Sequence, residues 1–161
     1  MEILLFISIL ISFLSAFFIL PFWIKKASSI GLIWKDMNKY KKTEVSGSGG
    51  LIVVMGFILG TLTYIAINTF YFNSTDHLIE IFALTTSVLI VAGIGIIDDL
   101  LGWQHGGLNK KTRILLCFFA AIPLMVINAG QSNISIPFIV SFNIGILYSL
   151  IIIPLGIVGA T

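Results

Sequence analysis

Two adjacent carboxylates, Asp98 and Asp99, stand at the end of an apolar stretch long enough to cross a lipid bilayer. An aspartate on a membrane-spanning helix costs about 3 kcal/mol unless it reaches water, a cation or a polar partner. Adjacent helical side chains point about 100° apart, so we expect the two acids to have different roles. One is a candidate proton acceptor, and the other is an anion that could hold a metal ion or a lysine. The alternative is a helix that ends at Ile97 and leaves both acids in water.

Groups suited to phosphate chemistry occur elsewhere in the chain. Such chemistry commonly uses a divalent cation and positive side chains to spread the charge on the phosphate oxygens. The run Ser46-Gly47-Ser48-Gly49-Gly50 precedes an apolar stretch. Backbone N–H groups exposed at such a helix start can bind an anion. A flexible hinge into the membrane explains this run equally well.

The composition defines an integral membrane protein. Hydrophobic residues make up 58% of the chain and charged residues 10%, and the mean hydropathy is +1.09. The apolar residues lie in blocks rather than at amphipathic spacing, which leaves no room for a soluble domain. We therefore predict an all-α, polytopic membrane protein with about five transmembrane helices. The predicted spans are 3–24, 51–72, 78–97, about 112–129 and about 144–161.

The basic residues predict the orientation of these spans. All nine Lys and Arg lie in two connections or, in the case of Arg113, just inside the fourth span. These two connections should be cytoplasmic loops, which places the N-terminus outside. Asp98 and Asp99 then share the cytoplasmic face with every base, and this face attracts phosphate-bearing solutes and the anionic inner leaflet. The positive-inside bias alone also explains the lysines. The two basic groups are Lys25, Lys26, Lys35, Lys39, Lys41 and Lys42, and Lys110, Lys111 and Arg113.

Four motifs, in this order and at these helix ends, resemble the polyprenyl-phosphate N-acetylhexosamine-1-phosphate transferases (glycosyl transferase family 4). The resemblance covers nearly the whole chain and is greatest to the dolichyl-phosphate GlcNAc-1-phosphate transferases of archaea and eukaryotes, whose aspartate-leucine-asparagine-lysine motif is similar to KDMNK. The motifs are GLIWKDMNKYKKTEVSGSGG, GIIDDLLG, GLNKKTRILL and NIGILYSL.

The resemblance implies a Mg²⁺-dependent transfer of GlcNAc-1-phosphate from UDP-GlcNAc to a polyprenyl (dolichyl) phosphate on the cytoplasmic membrane face, with release of UMP. It implies that Asp98 and Asp99 are catalytic and that Asp99 contributes to the metal site. Arg113 stands where the family carries a lysine near the diphosphate, and Lys110 and Lys111 are alternatives for that role. The residues implied to lie near the nucleotide are Asp36, Met37, Asn38, Lys39 and Glu44.

The end of the chain departs from the family pattern. Family members continue beyond Thr161 into further spans and a loop carrying the main metal-binding aspartate. We therefore expect residues 1–161 to be the N-terminal transmembrane part of a longer transferase and to be inactive alone. The expected partners are a UDP-sugar, the lipid phosphate and the membrane, with a homodimer as a candidate assembly and no nucleic acid. The expected location is the cell membrane, or the endoplasmic reticulum in a eukaryote.

Two other classes of function remain open. A small transporter or channel subunit would use Asp98 and Asp99 as an ion relay, and it predicts ion-coupled flux without dependence on a UDP-sugar. A structural or assembly protein would leave both carboxylates in solvent.

The predicted orientation can be tested by accessibility labelling in a Cys117→Ala background. Single cysteines at positions 41 and 98 should react with a membrane-impermeant thiol reagent from one side of the membrane, and a cysteine at Ser74 from the other side. Labelling of positions 41 and 98 from opposite sides would remove the shared face for acids and bases.

Overall fold

The computed structural model describes residues 2–35, 44–128, 133–136, 140–143 and 145–160. These residues form two compact units. The first unit comprises Met1–Asp76 and Gly95–Leu108, and the second comprises His77–Ile94 and Asn109–Thr161. The fold is all-α apart from two short hairpins, as the composition predicts.

Three helices are long and apolar enough to cross a membrane, which confirms the first three predicted spans. They are α1 (Glu2–Ser29), α2 (Gly50–Phe70) and α3 (Leu78–His105). Helix α3 continues past Ile97, so the alternative in which the helix ends there is wrong, and Asp98 and Asp99 lie within the helix.

Helices α1 and α2 pack through small residues in the first unit. Gly56 and Gly60 of α2 are both buried, and a Cβ atom at Gly60 would lie 2.8 Å from the Ser8 carbonyl oxygen and 2.8 Å from Ser12 Cβ. Small residues allow close backbone approach in lipid, where packing rather than the hydrophobic effect drives helix association. The spacing of the two glycines therefore serves helix packing.

A two-stranded antiparallel hairpin follows α1 and was not predicted. Helix α1 ends in a Schellman motif, because Gly31 has a φ of 78° and the N–H of Leu32 donates to the Ala27 carbonyl at 2.9 Å. The chain then forms β1 (Ile33–Lys35), which pairs with β2 (Glu44–Ser46) with Trp34 opposite Val45. The hairpin therefore borders residues 36–43 on both sides.

The second unit interrupts the fourth predicted span. It contains α4 (Lys110–Ala120) and α5 (Ile122–Ile127), separated at Ala121. Pro123 stands in the first turn of α5, where its missing N–H removes no helical hydrogen bond. In a continuous helix its ring would clash with the carbonyl group four residues earlier, which explains the break.

The rest of the second unit is a hairpin and a short apolar helix. Strands β3 (Asn133–Ile136) and β4 (Val140–Asn143) pair antiparallel, with Asn133 opposite Asn143. A π-helical turn (Tyr148–Ile152) leads into α6 (Ile153–Ala160), and the N–H of Ile153 donates to the Tyr148 carbonyl. Pro154 disfavours regular α-helical bonding just before it, which accounts for the wider turn. The number of five spans stays a prediction.

The close packing of α1 on α2 predicts different outcomes for two matched glycine substitutions. Gly60→Ala should destabilise the protein by about 1–2 kcal/mol, because the new Cβ forces a backbone shift. Gly93→Ala in α3, where a Cβ meets no atom within 4 Å among the described residues, should be neutral or stabilising. Thermal unfolding in detergent measures both. Equal stability of the two variants would contradict this packing.

Candidate active site

The two carboxylates of α3 contact different segments of the first unit. Asp98 is half-buried, and its Oδ1 atom accepts a hydrogen bond from the backbone N–H of Leu108 at 2.7 Å. Asp99 is exposed, and its Oδ2 atom accepts a hydrogen bond from Ser48 Oγ at 3.4 Å. The expectation that adjacent helical acids point in different directions is confirmed.

Asp98 faces a turn that ends α3. Gly106 and Gly107 have φ values of 85° and 83°, in the left-handed region that glycine adopts without a Cβ penalty. A Cβ atom at Gly107 would lie 3.1 Å from Asp98 Oδ1. The carboxylate therefore lies directly against the turn whose last residue, Leu108, it binds.

Asp99 faces the glycine and serine run that precedes α2. Ser48 has a φ of 55°, which is uncommon for a residue with a side chain, and Gly49 is the N-cap of α2. A carboxylate near a helix N-terminus interacts favourably with the helix dipole. The run predicted to hold phosphate is thus beside an anion, and a phosphate group there would need a cation between the two negative charges.

The indole of Trp34 links the first hairpin to α3. A Cβ atom at Gly47 would lie 2.5 Å from Trp34 Nε1, and one at Gly102 would lie 3.2 Å from Trp34 Cη2. The indole of Trp23 in α1 donates a hydrogen bond to the Gly47 carbonyl at 3.3 Å. Gly47, the residue directly after β2, therefore contacts both tryptophans, and the absence of a side chain there permits this approach.

The basic candidates lie in the first turn of α4, in the second unit. Lys110, Lys111 and Arg113 are all exposed, and Asn109 is the N-cap. Cations at a helix N-terminus interact unfavourably with the helix dipole, but together with free N–H groups they favour a bound anion. The turn is suited to a phosphate group.

The candidate nucleotide residues have different outcomes. Glu44 is the first residue of β2, is exposed, and stands opposite Lys35 in the strand register. The predictions for Asp36, Met37, Asn38 and Lys39 concern residues outside the part of the chain that the structure describes.

Sequence reasoning missed the contacts that surround the acidic pair. Trp34 is one of two aromatic residues in a polar connection, and the partner of Asp98 is a backbone amide, so neither contact gives a periodic signal in the sequence. The Gly106-Gly107 pair does predict a turn. Ser48 belongs to a glycine-rich run whose sequence predicts an anion site but gives no sign that the Ser48 hydroxyl meets Asp99.

Asp99 fits part of a magnesium site. Mg²⁺ prefers oxygen ligands and is usually held by one or two carboxylates together with substrate phosphates and water. Asp99 and Ser48 offer such oxygens on an exposed surface. Within the described residues, no group of three or more His, Cys, Asp and Glu side chains forms a complete metal site. Asp99 therefore fits the role of one protein ligand of the ion, with the Ser48 hydroxyl beside it.

The fold and the site define a polytopic membrane protein with an acidic pair near the end of one helix and a basic turn at the start of the next. Residues 81–161, which contain both features, match the family model of glycosyl transferase family 4. The chain belongs to this family.

Curated relatives match a larger share of the chain than the family model does. A protein of Saccharolobus solfataricus is 33% identical over 149 residues, covering 92% of this chain and 43% of its own length. One of Sulfolobus acidocaldarius is 36% identical over 124 residues, covering 77% of this chain and 36% of its own length. One of Dictyostelium discoideum is 27% identical over 146 residues, covering 81% of this chain and 35% of its own length.

All three carry the name UDP-N-acetylglucosamine–dolichyl-phosphate N-acetylglucosaminephosphotransferase, which is provisional for the first two. The chain spans about two fifths or less of the length of these relatives. No solved structure matches it.

The contact between Trp34 and Gly47 predicts a coupling that a double-mutant cycle can measure. Gly47→Ala should destabilise the protein by about 1–3 kcal/mol, because the new Cβ overlaps the indole. The same substitution should cost little in a Trp34→Ala background. Gly49→Ala is the matched control, since a Cβ there meets no described atom within 4 Å. Additive effects of the Gly47 and Trp34 substitutions on the unfolding free energy would exclude the contact.

Proposed function

We propose that this chain takes part in the transfer of GlcNAc-1-phosphate from UDP-GlcNAc to a polyprenyl (dolichyl) phosphate at the cytoplasmic membrane face. The family match over the segment that contains Asp98, Asp99 and the basic turn is the observation that carries the proposal. The names of three relatives, which include both substrates, support the choice of sugar nucleotide and lipid.

In the proposed reaction, an oxygen of the lipid phosphate attacks the β-phosphorus of UDP-GlcNAc. The bond between this phosphorus and the bridging oxygen breaks, and UMP leaves with that oxygen. Both reactants are anionic, and further negative charge builds up on the leaving UMP as the bond breaks, so catalysis consists mainly of positioning and neutralising phosphate oxygens.

The acidic pair would act on the lipid phosphate. One carboxylate removes its remaining proton, so that a doubly charged oxygen group attacks. The exposure of Asp99 favours this residue for direct contact with substrate, because an exposed carboxylate is open to an entering ligand. Asp98 stands beside it and contacts the turn before the basic segment.

Asp99 would also be one ligand of a Mg²⁺ ion, with the Ser48 hydroxyl next to it. When bound, the ion supplies positive charge that stabilises the diphosphate. The donor set described above supports one carboxylate ligand from this part of the chain and leaves the remaining positions to substrate oxygens, water or other residues.

The basic turn would bind the diphosphate. Arg113 can bind two phosphate oxygens at once through its planar guanidinium, while Lys110 and Lys111 offer compact charges. Glu44 would lie beside the nucleotide. Four further residues would lie there as well, namely Asp36, Met37, Asn38 and Lys39.

The protein is an integral membrane protein. We assign its active face to the cytoplasm on the distribution of Lys and Arg, and its location to the cell membrane or, in a eukaryote, to the endoplasmic reticulum. A homodimer stays a prediction.

The proposal predicts that full-length protein in membranes exchanges labelled UMP into UDP-GlcNAc when the lipid phosphate and Mg²⁺ are present. Asp99→Asn should reduce this exchange at least about 100-fold, because it removes both a negative charge and a proton acceptor. Glu80→Gln, at an exposed acid in the first turn of α3, is the matched control and should keep wild-type exchange. Full exchange in a correctly inserted Asp99→Asn variant would remove the site assignment.

A further inference from the structure

The two acids of the pair differ in the strength and kind of their contacts. The bond from the Leu108 N–H to Asp98 Oδ1 is 2.7 Å long, which is the range of a charge-assisted hydrogen bond. The bond from Ser48 to Asp99 Oδ2 is 3.4 Å long and therefore weaker. Asp98 is thus engaged with the backbone, whereas Asp99 can exchange its contact for a ligand at lower cost.

The turn that Asp98 contacts needs support from outside its own residues. Two consecutive glycines in the left-handed region have many other conformations available, so fixing them costs conformational entropy. An acceptor that holds the N–H of Leu108 offsets part of this cost. Because a Cβ at Gly107 would lie 3.1 Å from the same oxygen, the carboxylate and the turn are in direct contact.

We propose that Asp98 is a positioning residue, whose carboxylate holds the turn at Gly106, Gly107 and Leu108. The bond fixes the Leu108 amide, and the basic segment begins two residues later in the chain. Contact with the reacting groups then falls to Asp99. This inference rests on the proposed function and divides its acidic pair into two roles.

Positioning requires an oxygen lone pair on residue 98, whereas proton transfer requires a carboxylate. An asparagine at this position keeps an acceptor oxygen and the shape of the side chain, and an alanine keeps neither. The comparison of Asp98→Asn with Asp98→Ala therefore separates the two roles. Gly107→Ala perturbs the same contact from the other side, without changing residue 98.

The experiment measures UMP exchange by the full-length protein in nanodiscs. Asp98→Asn should stay within about tenfold of wild type, because a neutral acceptor bonds more weakly but in the same place. Asp98→Ala should lose about 100-fold or more, and Gly107→Ala at least about tenfold. Asp99→Asn and Asp99→Ala should lose UMP exchange to the same extent, because an amide at position 99 cannot replace the carboxylate.

Amide hydrogen exchange gives a readout that is independent of activity. The Leu108 N–H should be protected in wild type and in Asp98→Asn. In Asp98→Ala and in Gly107→Ala, its exchange should be faster by at least about tenfold, because the acceptor is lost or displaced.

Each outcome supports or overturns the inference. It is overturned if Asp98→Asn is as inactive as Asp98→Ala while Leu108 stays protected, because residue 98 then does chemistry. The inference is also overturned if Asp98→Ala keeps both its UMP-exchange activity and the protection of the Leu108 amide against hydrogen exchange. If Asp98→Ala does not fold, Asp98→Asn and Gly107→Ala decide the question. Failure of wild-type protein to exchange UMP would instead remove the proposed function, and the amide measurement would still test the positioning bond.

Discussion

Polar groups at the end of an apolar helix must find partners, and the rest of the first unit is arranged around this constraint. Helix α3 carries two carboxylates within its helical part, and an aspartate in such a segment is costly unless it is solvated or bonded. Asp98 meets this requirement through a backbone amide of the following turn, and Asp99 through solvent and a serine hydroxyl. The two adjacent aspartates therefore have the same side chain but different surroundings.

Close backbone approach makes these contacts possible. The hairpin after α1 reaches α3 through the Trp34 indole, which lies against two glycines, and only three residues separate the second strand from α2. A single side chain larger than hydrogen at Gly47 would displace the indole. The contact that brings Ser48 towards Asp99 is therefore supported by aromatic packing a few residues away.

The electrostatics of the site follow from this arrangement. Glycine and serine residues before a helix are often suited to phosphate, but here a carboxylate lies beside them. Negative charge at the helix start is stabilised by the dipole, and further negative charge from a diphosphate would need positive charge between the groups. A divalent cation and the exposed bases of α4 are the two sources of positive charge that the proposed reaction uses.

Much of the class and part of the site could be predicted from the sequence. Hydropathy is a sum over neighbouring residues, so it predicted the first three spans, and the motifs identified the family because they are local as well. The helix boundaries were less well predicted, because α3 continues past Ile97 with polar side chains that hydropathy reads as an end. The fourth run is broken at Ala121, although Pro123 is a local signal that was not used.

The sequence by itself determined that this is a membrane protein of glycosyl transferase family 4, with its bases in two groups and an acidic pair at the end of an apolar run. Only the tertiary structure decided that Asp98 binds the Leu108 amide, that Asp99 meets Ser48 and that Trp34 contacts Gly102. The reason is physical: these contacts join residues from separate turns, strands and helices. They depend on left-handed glycines and on close backbone approach, which no local sum of residue properties contains.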